Sequence, residues 1–165
     1  VRDTVAALLS PARSGEGRTE AQEMLRVLTD RVDAGYVTEQ AFTGHYDDLT
    51  TQQKTAASSS ILAGTATMLA AVLEGSERVE ITGSEPTKDG VTIVTSILTA
   101  PVEGLSDGLP VRWTVSRDFG LLKLLDIDVD GRSAVLVQSV HIDQLFEISQ
   151  GDLDAVLAGM SEFEQ

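Results

Sequence analysis

Val111-Arg112-Trp113-Thr114-Val115 and, beyond a turn at Asp118-Phe119-Gly120, Leu124-Leu125-Asp126-Ile127-Asp128-Val129-Asp130-Gly131-Arg132-Ser133 form the stretch from which the fold can be read. In the first segment Val111, Trp113 and Val115 alternate with Arg112, Thr114 and Ser116, the period of two that buries one face of a strand and wets the other. In the second, Leu125, Ile127 and Val129 alternate with Leu124, Asp126, Asp128 and Asp130, which predicts an aliphatic face turned inward and an acidic face turned to water. The tight turn between them predicts an antiparallel hairpin. Gly131 then breaks the strand, and Ser133 supplies an N-cap for a helix from about Ala134 to Ser149 that carries Leu136, Val137, Val140, Leu145, Phe146 and Ile148.

Working outward, two more strands precede the hairpin. Arg78 to Ser84 is short, and a turn over Pro86 to Gly90 leads to Val91–Ala100, where Val91, Ile93, Thr95 and Ile97 alternate with Thr92, Val94, Ser96 and Leu98. Both faces of that strand are fairly apolar. A loop bearing Pro101, Gly104, Gly108 and Pro110 joins it to Val111, so short connections imply an antiparallel meander.

Upstream the period is helical. A short amphipathic turn over Asp3 to Leu9 precedes Ser10-Pro11 and a loop of small and polar residues, Ser14 to Gly17. Thr19 and Gln22 form a capping pattern, after which Met24, Leu25, Leu28 and Val32 recur at helical spacing until Gly35. Tyr36 to Thr43 predicts a second helical piece ended by Gly44. Asp48 to Thr51 offers caps for a long helix reaching about Leu73, with Ile61, Leu62, Thr65, Ala66, Leu69, Val72 and Leu73 along one side and small residues such as Ala63 and Gly64 elsewhere. Glu74-Gly75-Ser76 ends it. At the other end, Gly151-Asp152 caps a last short helix from Leu153 to Gly159. The expected fold class is α+β, with helices packed on one face of a curved four-stranded antiparallel sheet that encloses an apolar cavity.

A chain of 165 residues is the size of one domain, read here as spanning 1–165. Its 26 acidic and 12 basic side chains leave a net charge of −14, a field that repels phosphate backbones and anionic membrane surfaces, so nucleic-acid binding and peripheral docking on membrane headgroups are poor fits. With no cysteine there is no disulfide, thiolate nucleophile or cysteine-held metal. The apolar-leaning stretch from Ile61 to Leu73 is interrupted by Gly64, Thr65 and Thr67 and falls short of the ~20 apolar residues that span a bilayer. The sequence opens at Val1 with neither an initiator methionine nor a charged-then-apolar leader, an opening that fits either a processed end or a start chosen without a secretory leader.

Few residues point to chemistry. Asp126 to Gly131 matches the opening of a calcium loop, in which alternate carboxylates converge on the ion, but the twelfth position is Val137 where a bidentate glutamate is needed. A calcium-dependent interaction module is therefore a third reading, weaker than a solvated acidic strand face. His45 and His141 each lack a metal-spaced partner. Ser139, His141, Asp143 and Glu147 are nucleophile and acid–base types, yet they point around different sides of one helix and no nucleophile elbow frames them. No cofactor and no metal are expected. An enzyme acting on an apolar small molecule in a similar cavity, as an isomerase or hydrolase, is the alternative reading, and it needs an ionisable group facing inward.

The chain resembles the MlaC family of periplasmic phospholipid shuttles, also described as toluene-tolerance auxiliary transport proteins. The resemblance is carried by the strand with Trp113 at its centre, the strand ending in Asp130-Gly131 with Asp126 and Ser133 matching the family's strand aspartate and helix-opening serine, the helix from Leu136 to Ile148, and Gly151-Asp152-Leu153. Phe42-Thr43-Gly44-His45-Tyr46 and Glu77-Arg78-Val79-Glu80-Ile81 correspond upstream. The chain departs from the pattern in its long helix, where Ile61, Leu62, Met68 and Leu69 stand in place of aromatics, at Asp47, and at Val140-His141, where a basic residue is usual. The resemblance implies a non-enzymatic, monomeric periplasmic carrier that holds phospholipid acyl chains and exchanges lipid between an inner-membrane ABC transporter lipid-binding subunit and an outer-membrane lipoprotein complex, without a nucleic-acid partner. From the face assignments, the expected lining is Leu62, Leu69 and Leu73 of the long helix, Ile93, Val111, Trp113, Val115, Ile127 and Val129 of the sheet, and Leu136, Val140 and Leu145 of the later helix.

Overall fold

Leucines and valines at helical spacing place a first described helix, α1, over residues 25–31, with Leu28 fully buried. The computed structural model describes residues 25–73, 78–87, 90–99, 108–118 and 121–162. The features expected over Asp3 to Gly17, at Thr19, Gln22 and Met24, at Glu74-Gly75-Ser76, at Pro101 and Gly104, and at Phe119-Gly120 lie outside these residues.

The helix expected to run to Gly35 breaks earlier. Val32 forms a parallel bridge with Leu124, and the Asp33 N–H donates to the Leu124 carbonyl at 2.9 Å. The Asp33 carboxylate then accepts the Tyr36 N–H at 3.0 Å and so starts α2, Ala34–Ala41, in which Gly35 is an ordinary first-turn residue. The helix ends at Ala41, two residues short of the expected Thr43, with Phe42 as its C-cap, and Gly44, at φ +88°, lies in the turn that follows, where a left-handed backbone favours glycine. A 3₁₀ turn, Tyr46–Asp48, leads to α3, Thr51–Leu73. Its start is a reciprocal cap: the Gln53 N–H donates to Thr50 Oγ1 at 3.3 Å, and the Thr50 N–H donates to Gln53 Oε1 at 3.0 Å.

Thr51–Val72 is 22 residues long and contains an 18-residue window of mean hydropathy 1.3, enough by length and composition to cross a membrane and longer than the Ile61 to Leu73 stretch suggests. Its aliphatic stripe nonetheless turns into the protein: Ile61, Leu62, Thr65, Ala66 and Leu69 are all buried. Thr38 of α2 and Ser58 of α3 meet at 2.7 Å where the two helices cross.

The sheet is fully antiparallel in the order β1-β2-β3-β4-β5, with β1 Arg78–Pro86, β2 Val91–Thr99, β3 Leu109–Asp118, β4 Leu121–Val129 and β5 Arg132–Ser133. The four expected strands are thus joined by a fifth of two residues, paired to Asp128 and Val129. A tight turn makes this return possible, with Asp130 at φ 52° and Gly131 at φ 80°.

Register sets the inner face. Trp113 stands between Val94 and Ile127, and Val111 between Ser96 and Val129. Trp113 is 1% exposed, and its indole N–H donates to Ser96 Oγ at 2.8 Å, so the one polar atom of the ring is satisfied inside the core.

Between Thr114 and Val115 the pairing to β4 slips by one residue, a β-bulge at Leu125. Strict alternation placed Leu124 with the aspartates on the wet face. The bulge instead buries both Leu124 and Leu125, at 2% and 5% exposure. It also leaves Asp126 partly buried at the sheet edge, where its Oδ1 accepts the Ile127 N–H at 2.8 Å and the Val135 N–H at 3.2 Å.

That second bond pins the N-terminus of α4, Ala134–Ile148, whose N-cap Ser133 accepts the Leu136 N–H at 3.0 Å. A carboxylate and a hydroxyl at a helix N-terminus suit both its free N–H groups and its dipole. Asp152 caps α5, Leu153–Glu162, which runs three residues beyond the expected Gly159 and buries Val156 and Met160. Gly159 lies against Leu145, whose Cδ2 a Cβ there would meet at 2.7 Å.

Two outcomes are expected. Ser96→Ala leaves the Trp113 N–H buried without an acceptor and lowers unfolding free energy by about 1–3 kcal/mol, read from urea melts by the fluorescence of that single tryptophan. Asp126→Ala removes a cap from α4 and costs about 1–2 kcal/mol in the same assay, whereas Asp128→Asn, altering a carboxylate at the rim, costs under about 0.5 kcal/mol.

Candidate functional site

Helices and sheet meet at a dry slot. Val32 and Val37 close one side, Leu62 and Thr65 of α3 the next, Leu124, Leu125 and Ile127 of β4 form the floor, and Ala134 and Val135 of α4 complete the ring. Asp126 stands at its mouth. The slot encloses about 20 Å³, room for about one water molecule. Outside the mouth, and sharing Leu125, Asp126 and Val135 with it, lies an open groove of about 470 Å³ between α2 and α4. Tyr36, Gln40 and Thr43 line one bank, and Ser133, Leu136, Ser139 and Asp143 the other.

Of the residues expected to line the interior, Leu62 and Ile127 are in the slot itself. Leu69, Val111, Trp113 and Val115 are buried in the core around it, and Val129 and Leu145 pack against that core partly buried. The side chain of Leu73 lies outside the described residues.

Three assignments are corrected. Ile93 pairs with Glu85 and Thr114, on the sheet face opposite Trp113, because the register puts Val94 rather than Ile93 beside the tryptophan. Leu136 and Val140 are 62% and 50% exposed, so neither lines the interior, and Leu136 stands on the bank of the outer groove instead. The pinning of the Val135 N–H to Asp126 fixes the rotation of α4, so that Ala134 and Ile142 face the core and Leu136, Val137 and Val140 face out.

Sequence reasoning missed Val32, Val37, Thr65, Leu124, Leu125, Ala134 and Val135 as lining, although it turned Leu125 inward. The adjacent Leu124-Leu125 pair in an otherwise alternating strand was the available signal, since only a bulge buries both. Val32 and Val37 gave none, because their position depends on the bridge to Leu124.

The acidic stretch does not converge as a calcium loop would require. Asp126 caps α4, Asp128 accepts the Gly131 N–H at 2.9 Å and lies 3.8 Å from Arg112, and Asp130 sits in the exposed turn. Among the described residues no group of three histidine or acidic side chains could hold a metal ion. Neither histidine lines the slot or the groove. His45 instead stacks on Phe146 at 4.0 Å between ring centres, tying α4 to the segment after α2.

A solved structure of a phospholipid-binding protein from Ralstonia solanacearum, in complex with a phospholipid, superposes with a TM-score of 0.78, over 99% of this chain and 93% of that one, at 14% identity. At that identity the likeness shows the fold. No curated protein matches the sequence significantly. The family model described as MlaC protein matches residues 1–162, nearly the whole length and every element of the fold laid out above, and on that match the chain belongs to the MlaC family.

Proposed function

We propose that this protein is a periplasmic lipid carrier that seats phospholipid acyl chains between α3, α4 and the sheet, and that it is not an enzyme. The observation that carries this reading is the dry slot on the boundary between helices and sheet, continuous with a wet groove at the surface. That arrangement suits a molecule with an apolar end and a polar end. The Ralstonia protein of the same fold is described in complex with a phospholipid.

The energetics favour loading by expansion of the slot. A dozen or more methylene groups leaving water release on the order of 10 kcal/mol, which can offset separating packed walls. The natural line of parting lies between α3 and α4. There Gln138 of α4 rests over Gly64 of α3, where a Cβ would meet Gln138 Nε2 at 2.7 Å. A flexible amide over a glycine is easier to displace than interlocked aliphatic side chains.

In this reading the carrier exchanges lipid with the lipid-binding subunit of an inner-membrane ABC transporter and with an outer-membrane lipoprotein complex. Its charge of −14 favours brief encounters with basic protein patches and disfavours a long stay on an anionic bilayer. Monomeric transit fits a shuttle.

Organic extraction of the purified protein followed by mass spectrometry tests the proposal. About one phospholipid per chain is the expected result. Protein that carries none and takes none from vesicles would sink it. Leu62→Trp fills the slot and is expected to cut the load at least about fivefold while costing about 1–3 kcal/mol of stability, so its melt stays cooperative. Asp128→Asn, outside the slot, should load as the parent does.

A further inference from the structure

We propose that the groove between α2 and α4 is a headgroup subsite that favours zwitterionic, amine-bearing phospholipids over anionic ones. The proposal rests on the carrier reading and concerns what sits outside the slot when a chain is inside it. Because groove and slot share Leu125, Asp126 and Val135, a lipid with its acyl end in the slot has its phosphate and headgroup in the groove. The volume of about 470 Å³ falls within the range of small-molecule sites.

The chemistry of the lining sets the preference. Asp126 and Asp143 contribute carboxylates, and among the described residues no lysine or arginine lines the groove. Asp126 makes its hydrogen bonds through Oδ1 alone, so among the described residues Oδ2 has none and is available to an ammonium donor.

The other polar groups are neutral. Ser133 Oγ accepts the Leu136 N–H, which leaves its own proton to donate. The Tyr36 and Ser139 hydroxyls and the Gln40 amide are further donors of the kind a phosphate diester can use without a cation. A zwitterionic headgroup brings its own positive charge to the carboxylates. An anionic headgroup would set its phosphate charge beside two carboxylates with no compensating cation among the described lining residues.

The test offers purified protein mixed vesicles of equal phosphatidylethanolamine and phosphatidylglycerol, with bound lipid quantified by mass spectrometry. Both lipids share one surface, so docking on the vesicle is the same for the two, and Glu85→Lys, which changes the net charge as much as Asp143→Lys does, separates the groove from the overall charge of the protein. The expected result is an excess of phosphatidylethanolamine of about two- to fivefold, the scale of a partly exposed ion pair. Asp143→Lys and Gln40→Lys, both at exposed positions, should abolish or reverse the excess, and Glu85→Lys on β1, outside the groove, should leave both the excess and the total load intact.

Equal uptake of the two lipids, or an excess that Asp143→Lys does not move, overturns the headgroup subsite and leaves the carrier reading standing. No uptake of either lipid overturns both. Displacement of bound lipid by soluble glycerophosphoethanolamine at matched concentration would overturn the assignment in favour of a site for free phosphoamines, since a lipid site draws its affinity from the acyl chain.

Discussion

One extra residue in β4 organises much of this molecule. With a regular ladder, Leu124 would face water and Asp126 would be a surface carboxylate. The bulge at Leu125 sends two consecutive leucines into the interior and leaves Asp126 at the edge of the sheet. That edge is then occupied on both sides of the bulge, by the Asp33 N–H on the Leu124 carbonyl and by the Val135 N–H on the Asp126 carboxylate. A strand edge that might have paired with another chain is instead where two helices begin. The register of a ladder thereby determines where α2 starts and how α4 is turned about its axis.

The site inherits its two-sided character from the same place. The leucines pushed inward make the floor of the dry slot, and the aspartate held at the rim marks where dryness ends. Apolar burial supplies affinity without direction, while polar groups at the mouth supply direction with little affinity. On the proposed carrier reading, the closeness of the slot walls would make binding and conformational change one event, since a ligand seated there would be admitted by the helices it then held apart.

Periodicity made the meander and the long core helix legible, because alternation and the 3.6-residue repeat are local properties of side-chain placement. The buried Val111, Trp113 and Val115 and the stripe from Ile61 to Leu69 followed from it directly. What could not be read was relative rotation. Whether Leu136 or Ala134 faces the core depends on a hydrogen bond between Val135 and a residue nine positions earlier on a different element. The choice between Val94 and Ile93 was equally hidden, since β2 is apolar on both faces and only pairing with Trp113 separates them. The break of α1 at Val32 is of the same kind, because its cause lies in the distant backbone of Leu124. Fold class was thus written in local pattern, and the details of the site in contacts across the sheet edge.

The outward turn of α4 leaves Leu136, Val137 and Val140 as an aliphatic patch on a protein that carries a charge of −14. These features act over different distances. Between two copies, charge repulsion is felt out to roughly 8 Å at physiological ionic strength, whereas attraction between such patches operates only at contact. The acid surplus therefore acts as a colloidal barrier around a sticky surface. Raising the ionic strength thins that barrier without touching the patch, so crowding tolerance in this protein is a property of its solvent as much as of its fold.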